Sequence, residues 1–137
     1  MIIIKKILLD TNFLMLIAQF KVDIFTELDR ICNFNYKLFV LDKTIEELKD
    51  IIETQKGKHK AVAKVALQLL KLKKVIVVKT GSKKHTDDII LDIASKDDFI
   101  VATQDKDLKR RLINQGTSVI VLKQKKKLAI MNYRGFT

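Results

Sequence analysis

Apolar residues in this chain come in short blocks, and their spacing alternates between that of a buried strand and that of a helix face. Ile2 to Leu9 is apolar except at Lys5 and Lys6, and it stops at Asp10. Such two-sided apolar runs mark strands covered on both faces. The segments Lys37 to Leu41, Val75 to Val78, Phe99 to Ala102 and Val119 to Leu122 read the same way. Helical spacing fills the gaps. Thr11 to Ala18 predicts one helix, and Asp23 to Cys32 a second with Ile24, Leu28 and Ile31 on one face. Thr44 to Glu53 carries Ile45, Leu48, Ile51 and Ile52 on one stripe. After Gly57 a long helix is expected to turn Val62, Val65, Ala66, Leu69 and Leu70 inward. Thr86 or Asp87 is expected to cap a helix running to Ala94, and Asp105 one that ends at Gly116.

Strands alternating with helices predict an α/β fold in three layers, with a parallel sheet of about five strands between helices. No repeat or linker divides residues 1–137, so one domain is expected, with a basic C-terminal tail over about 123–137. In parallel sheets, sites form beyond the carboxyl ends of the strands. Asp10 directly follows the first strand, and Asp105 comes shortly after Ala102. Both acids are therefore expected at one sheet edge.

Composition narrows the setting. Of 137 residues, 47% are apolar, enough for a packed core. No apolar stretch approaches the roughly 18 to 20 residues that span a bilayer. Lys5 and Lys6 interrupt the N-terminal run, and no cleavage-site pattern follows, so no signal peptide is expected. The lone Cys32 reads as a small buried hydrophobe in a reducing compartment, and a cytoplasmic location follows as an expectation. The net charge of +11 is unevenly spread. Residues 49–85 hold eleven basic and two acidic groups, and residues 103–137 hold nine and two. A surface of that kind attracts polyanions, nucleic acid foremost. A solvated lysine-rich surface accounts for the same numbers.

The acids decide between those readings. Asp10 and Asp105 are each well placed as helix N-caps, but a capping carboxylate keeps an oxygen free for other work. In the Glu46–Glu47 pair, Glu47 lies nearer the apolar stripe and is the better candidate for a site at the core's border. In the Asp87–Asp88 pair, wheel geometry favours Asp87, but the helix start makes that angle a weak guide and the choice stays open. Asp92 reads as a solvated helical acid. Several carboxylates brought together repel unless a cation offsets their charge, and all-oxygen ligands suit Mg²⁺ or Mn²⁺. Such ions activate water against a phosphodiester.

The motifs Leu9-Asp10-Thr11-Asn12, Ile45-Glu46-Glu47-Leu48, Asp87-Asp88-Ile89-Ile90-Leu91 and Val101-Ala102-Thr103-Gln104-Asp105 resemble, in order and context, those of PIN-domain nucleases. The resemblance covers essentially the whole chain. It implies a PIN-like central parallel sheet, a Mg²⁺ or Mn²⁺ site, and endoribonuclease activity on RNA. By that resemblance Asp10, Glu47, Asp88 and Asp105 are the catalytic and metal-binding carboxylates, with Asp107 an accessory candidate and Asn12 and Thr103 in support. The resemblance thus prefers the second acid of each doublet. Lys106, Lys109, Arg110 and Arg111, with the cluster Lys125, Lys126 and Lys127, are the RNA-binding candidates. The stretch from Asp105 to Leu112 is similar to archaeal short PIN proteins and to PIN nucleases of ribosomal RNA maturation. Toxin ribonucleases of toxin–antitoxin pairs share the same acids. The implied partners are RNA, a second copy in a homodimer, and an antitoxin or ribosome-assembly protein.

Two other classes compete. A non-catalytic RNA-binding module would need the basic surface but not four separated acids. Stacking platforms are not evident, since Tyr133 and Phe136 are isolated. A receiver-like phospho-acceptor could use Asp10, Asp42 and Lys123, but Thr11 and Asn12 stand where a second acid is wanted. His59 and His85 lie on polar segments and receive no role.

Overall fold

The computed structural model describes residues 3–81 and 83–132. Tyr133, Phe136 and the end of the expected basic tail lie outside them. In chain order the elements are β1 (Ile4–Leu9), α1 (Thr11–Gln19), α2 (Ile24–Ile31), β2 (Asn35–Leu41), α3 (Asp42–Thr54), α4 (Gly57–Leu72) and β3 (Ile76–Val78). They continue as α5 (Thr86–Asp97), β4 (Phe99–Ala102), α6 (Lys106–Asn114), β5 (Val119–Lys123) and β6 (Lys127–Met131). The five expected strands pair in parallel, β3-β2-β1-β4-β5, and β6 adds a sixth, antiparallel to β5.

Alternation along β1 divides the core. Ile7 and Leu9 face a cluster built with Phe13, Ile17, Leu28, Leu48 and Ala66, so α1 to α4 cover that side. Leu8 faces the other way, onto Ile90, Val101, Leu108 and Leu112, where α5 and α6 pack. The sheet order reverses between β1 and β4, since β2 and β3 build outward on one side and β4 and β5 on the other. A crevice opens at that switch point, beyond the carboxyl ends of the strands.

Several local expectations need correction. On α4 the fully buried set is Ala63, Ala66 and Leu70, while Val65 is 47% exposed. Both sets satisfy helical spacing, and the small alanines win because α4 packs against both α1 and α3. The cap of α5 is His85, with no side-chain hydrogen bond, so neither Thr86 nor Asp87 caps. That helix also runs on to Asp97, where Asp98 takes a left-handed conformation. Strand β5 is not the last, and Lys123 to Lys127 is a hairpin turn rather than the start of a tail.

The turn explains why β6 was hidden. Gln124 and Lys125 both have positive φ (54° and 59°), and the Lys126 N–H closes onto the Lys123 carbonyl at 3.1 Å. Three residues connect the strands, and the two with positive φ take the conformation that Asn-Gly normally signals. Three side chains clasp the hairpin instead. Gln104 pairs with Leu122 through both amide ends, accepting from its N–H at 2.6 Å and donating to its carbonyl at 3.1 Å. On the outer edge, Glu27 accepts from the Leu128 N–H at 2.9 Å and Arg30 donates to the Leu128 carbonyl at 2.7 Å. The Glu27–Arg30 ion pair of α2 thus stands in for a neighbouring strand. Replacing Gln124-Lys125 with Asn-Gly is expected to relieve the left-handed strain and stabilise the protein by about 1 kcal/mol. The denaturation midpoint in urea checks this, and a midpoint that falls would show that the lysine's packing outweighs the strain.

Candidate active site

Strand β1 delivers Asp10 to the switch point. Its backbone N–H bonds the Ala102 carbonyl at 3.0 Å, so the acid leaves the sheet already tied to β4. The side chain is only 7% exposed and both oxygens are engaged. Oδ1 accepts from the Thr11 N–H at 2.9 Å, and Oδ2 from the Thr103 hydroxyl at 2.8 Å. Asp10 therefore caps α1, and the cap leaves its second oxygen for β4. Thr103 is fully buried and works in two directions, since its hydroxyl also accepts the Asp105 N–H at 3.1 Å. Asp105 in turn caps α6 by accepting from the Leu108 N–H at 2.9 Å. One threonine hydroxyl joins the two acids expected at this edge.

The other carboxylates arrive on α3 and α5. Burial, outweighing the hydrogen bonds from Thr103 and Thr11, raises Asp10 to a pKa of about 6, and the charges of Asp87 and Glu47 add to the rise. Asp87 is half-buried, and burial together with the Asp105 charge raises its pKa as well. Glu47 is exposed, and its Oε1 accepts from Thr86 at 3.4 Å, which links the starts of α3 and α5. Asp10 thus senses the charges of Asp87 and Glu47, and Asp87 senses that of Asp105. Asp88 faces another way. It is exposed and ion-paired with Arg111 at 3.0 Å, and among the four its charge is felt by Asp87. Asp107 is also turned outward, paired with Arg110 of the same helix.

The donor set suits a hard divalent cation in chemistry, being carboxylate oxygens alone. Asp10 and Asp87 are each raised by burial and by the charges of neighbouring acids, which is the cost a cation removes. Among the described residues no three acidic, histidine or cysteine side chains already form a cage for an ion. The acids line one edge without converging into a finished chelate.

Basic residues surround that edge. Lys106 and Lys109 lie on α6 with Arg110 and Arg111, and the arginines hold Asp107 and Asp88. Because β5 runs parallel to β1, the tip carrying Lys125, Lys126 and Lys127 rises at the same end of the sheet as Asp10. Asn12 is exposed and opens toward α4, lining a cleft with Lys58 and Gln104 rather than bonding the carboxylates. Sequence reasoning missed Gln104's clasp and the Thr11–Thr44 hydroxyl bond of 3.2 Å that fastens α1 to α3. No local pattern announces contacts so far apart in the chain.

A receiver arrangement does not fit. Asp42 is held by the Thr80 hydroxyl at 3.0 Å and its N–H at 3.1 Å. The strand order also differs from the 2-1-3-4-5 order of that fold. Burial pushes the Cys32 thiol up to about 11, in keeping with an inert role. Among the described residues no helix is long and apolar enough to cross a membrane.

Comparison with known proteins gives a consistent result. The sequence pattern of the PIN-like domain matches residues 7–125. Ribonuclease VapC4 of Methanocaldococcus jannaschii is 33% identical over 124 residues, spanning 88% of this chain and 92% of that protein. Ribonuclease VapC9 of Archaeoglobus fulgidus is 28% identical over 128 residues, 93% of this chain and 90% of that one. In fold, the chain matches the PIN domain endonuclease Utp24 with a TM-score of 0.76 at 23% identity, covering 93% and 92% of the two chains.

Two outcomes follow from the geometry. Thr103→Val leaves a buried carboxylate oxygen and the Asp105 N–H without their partner, and should cost about 1 to 3 kcal/mol in urea unfolding, with Thr103→Ser recovering most of it. Full stability in the valine variant would mean that the bridge is dispensable. The second concerns pH in metal-free protein. A carboxyl raised in the fold binds its proton more tightly than in the unfolded chain, so stability is greatest below about pH 4 for this group and falls as pH rises to about 6. The loss from Asp10 is on the order of 3 kcal/mol. Asp10→Asn should flatten that slope between pH 4.5 and 6, where the lowered acids Asp23, Glu27 and Asp42 are already ionised. An unchanged slope would mean that Asp10 ionises normally.

Proposed function

This chain belongs to the PIN-like domain family, and we propose that it is a divalent-metal-dependent endoribonuclease that hydrolyses RNA phosphodiesters. The observation that carries the reading is Asp10, raised by its burial and further by the charges of Asp87 and Glu47, which distant segments bring to the same sheet edge. The ribonucleases VapC4 and VapC9 support RNA as the substrate class, and so does the basic rim.

Asp10, Glu47, Asp87 and Asp105 are the carboxylates we assign to Mg²⁺ or Mn²⁺, with Asp87 taking the place that family resemblance gave to Asp88. These carboxylates would hold an ion whose chemistry would be a bound water of lowered pKa and Lewis-acid stabilisation of the leaving oxygen. The chain's own part is orientation and charge. Thr103 fixes the Asp10 carboxylate and the Asp105 backbone together, so the two cannot drift apart. Lys106, Lys109, Arg110, Arg111 and the tip lysines 125–127 draw the RNA backbone toward an otherwise repellent acidic pocket. Arg111 holds Asp88 beside Asp87, and a phosphate can compete for that guanidinium. The reading extends to work in the cytoplasm, to a homodimer, and to a protein partner of the antitoxin or ribosome-assembly kind.

Purified protein should cut single-stranded RNA with Mn²⁺ or Mg²⁺ and stop on addition of EDTA. Asp10→Asn and Asp87→Asn should each lose more than the roughly 10- to 100-fold typical of an outer-shell change, while Asp88→Asn stays within it. The Asp10 variant, purified in parallel, controls for contaminating nuclease. If it cuts at full rate the nuclease reading fails. If Asp88→Asn proves the more damaging change of the doublet, the fourth position returns to Asp88.

A further inference from the structure

Beside the acids lies a cleft that their chemistry does not use. It has a volume of about 530 Å³ and is walled by Asn12, Met15 and Leu16 of α1 and by Lys58, His59 and Val62 of α4. That volume falls within the roughly 300 to 1,000 Å³ of small-molecule sites. Its position is informative. Asn12 is two residues beyond Asp10, and Gln104, which also lines the cleft, immediately precedes Asp105. Gln104 has both amide ends committed to Leu122, so it forms a fixed wall between cleft and acids.

The lining separates into two chemistries. Met15, Leu16 and Val62 give an apolar slot, with the exposed Asn12 amide at its rim as donor and acceptor. At the other end, α4 begins at Gly57 with no capping side chain and no acid in its first turn, and Lys58 and His59 stand on that turn. A helix start that no side chain caps, with cationic side chains beside it, favours an anion. Slot and anion seat side by side match one nucleotide, a planar base with apolar faces joined to a phosphate. RNA recognition commonly works this way, taking an unstacked base out of a single strand.

We propose that this cleft is a nucleobase subsite, which takes one nucleotide of the RNA next to the bond cut at the acids. The base lies against Met15, Leu16 and Val62, and its phosphate meets Lys58, His59 and the start of α4. The subsite rests on the ribonuclease reading and adds to it a determinant of where along the strand cutting occurs.

The test is binding, which does not depend on cleavage. Affinity is measured with Asp10→Asn protein in EDTA for a short single-stranded RNA, and for the same strand with an abasic riboside at each position in turn. One position should weaken binding about tenfold when its base is removed, on the scale of a single base contact. Val62→Phe, which fills the slot, should remove that position's penalty and leave the others. Lys58→Ala with His59→Ala, both on exposed positions, should lower the salt dependence of log K by about 0.7 to 1.4. A flat abasic scan, or a penalty that survives Val62→Phe, overturns the base assignment and leaves the cleft to a protein segment. An unchanged salt slope overturns the phosphate seat. Cleavage by wild type and its loss in Asp10→Asn report separately on the nuclease reading, so either idea can fail alone.

Discussion

A charge that the fold must keep in the wall of its own core governs the rest of the structure. Asp10 ends the central strand, and the strand cannot stop earlier without exposing Leu8 and Leu9. The carboxylate is therefore carried into a place where water is scarce. Removing an ion from water without partners is expensive. The Thr11 N–H and the Thr103 hydroxyl meet it, and the same hydroxyl fixes the turn that presents Asp105. The arrangement is well satisfied in hydrogen bonds, with no orphan polar side-chain atom among the described residues. It is poorly satisfied in charge. That residual electrostatic tension points to a cation more directly than any single acid does.

Around this negative centre the chain places its positive charge at a distance. Two cations of α6 near the acids are held by surface carboxylates. Others stand on the hairpin tip and on the first turn of α4. If lysines reached into the pocket they would neutralise the acids and displace a metal. In the proposed nuclease, lysines kept on the rim would offset the repulsion between RNA and site while leaving the carboxylates available.

Much of this was legible beforehand because it follows from periodicity. The five parallel strands and six helices sit where apolar spacing puts them, and the sheet-edge rule brought Asp10 and Asp105 together. The failures have physical reasons. Strand β6 escaped because its turn uses Gln124 and Lys125 in a conformation normally marked by Asn-Gly. Val65 was placed inside because spacing cannot tell a valine face from an alanine face when close helix packing decides. At the Asp87–Asp88 pair, periodicity leaned to Asp87 and the resemblance to Asp88, because a helix start blurs the angle. The helix is capped by His85, the charge of Asp87 acts on Asp10, and Asp88 pairs with Arg111. The α1–α4 cleft had no sequence signature at all, since its walls lie more than forty positions apart.

The two ends of the sheet differ in kind. At β6 the outward backbone groups of Leu128 are already occupied by Glu27 and Arg30, and α2 packs across that border. At β3 the ladder stops at three residues, with Ile76 and Val77 open to solvent. A stranger strand therefore meets backbone partners already taken at Leu128 and finds them open along β3, which makes the β3 margin the easier one to extend.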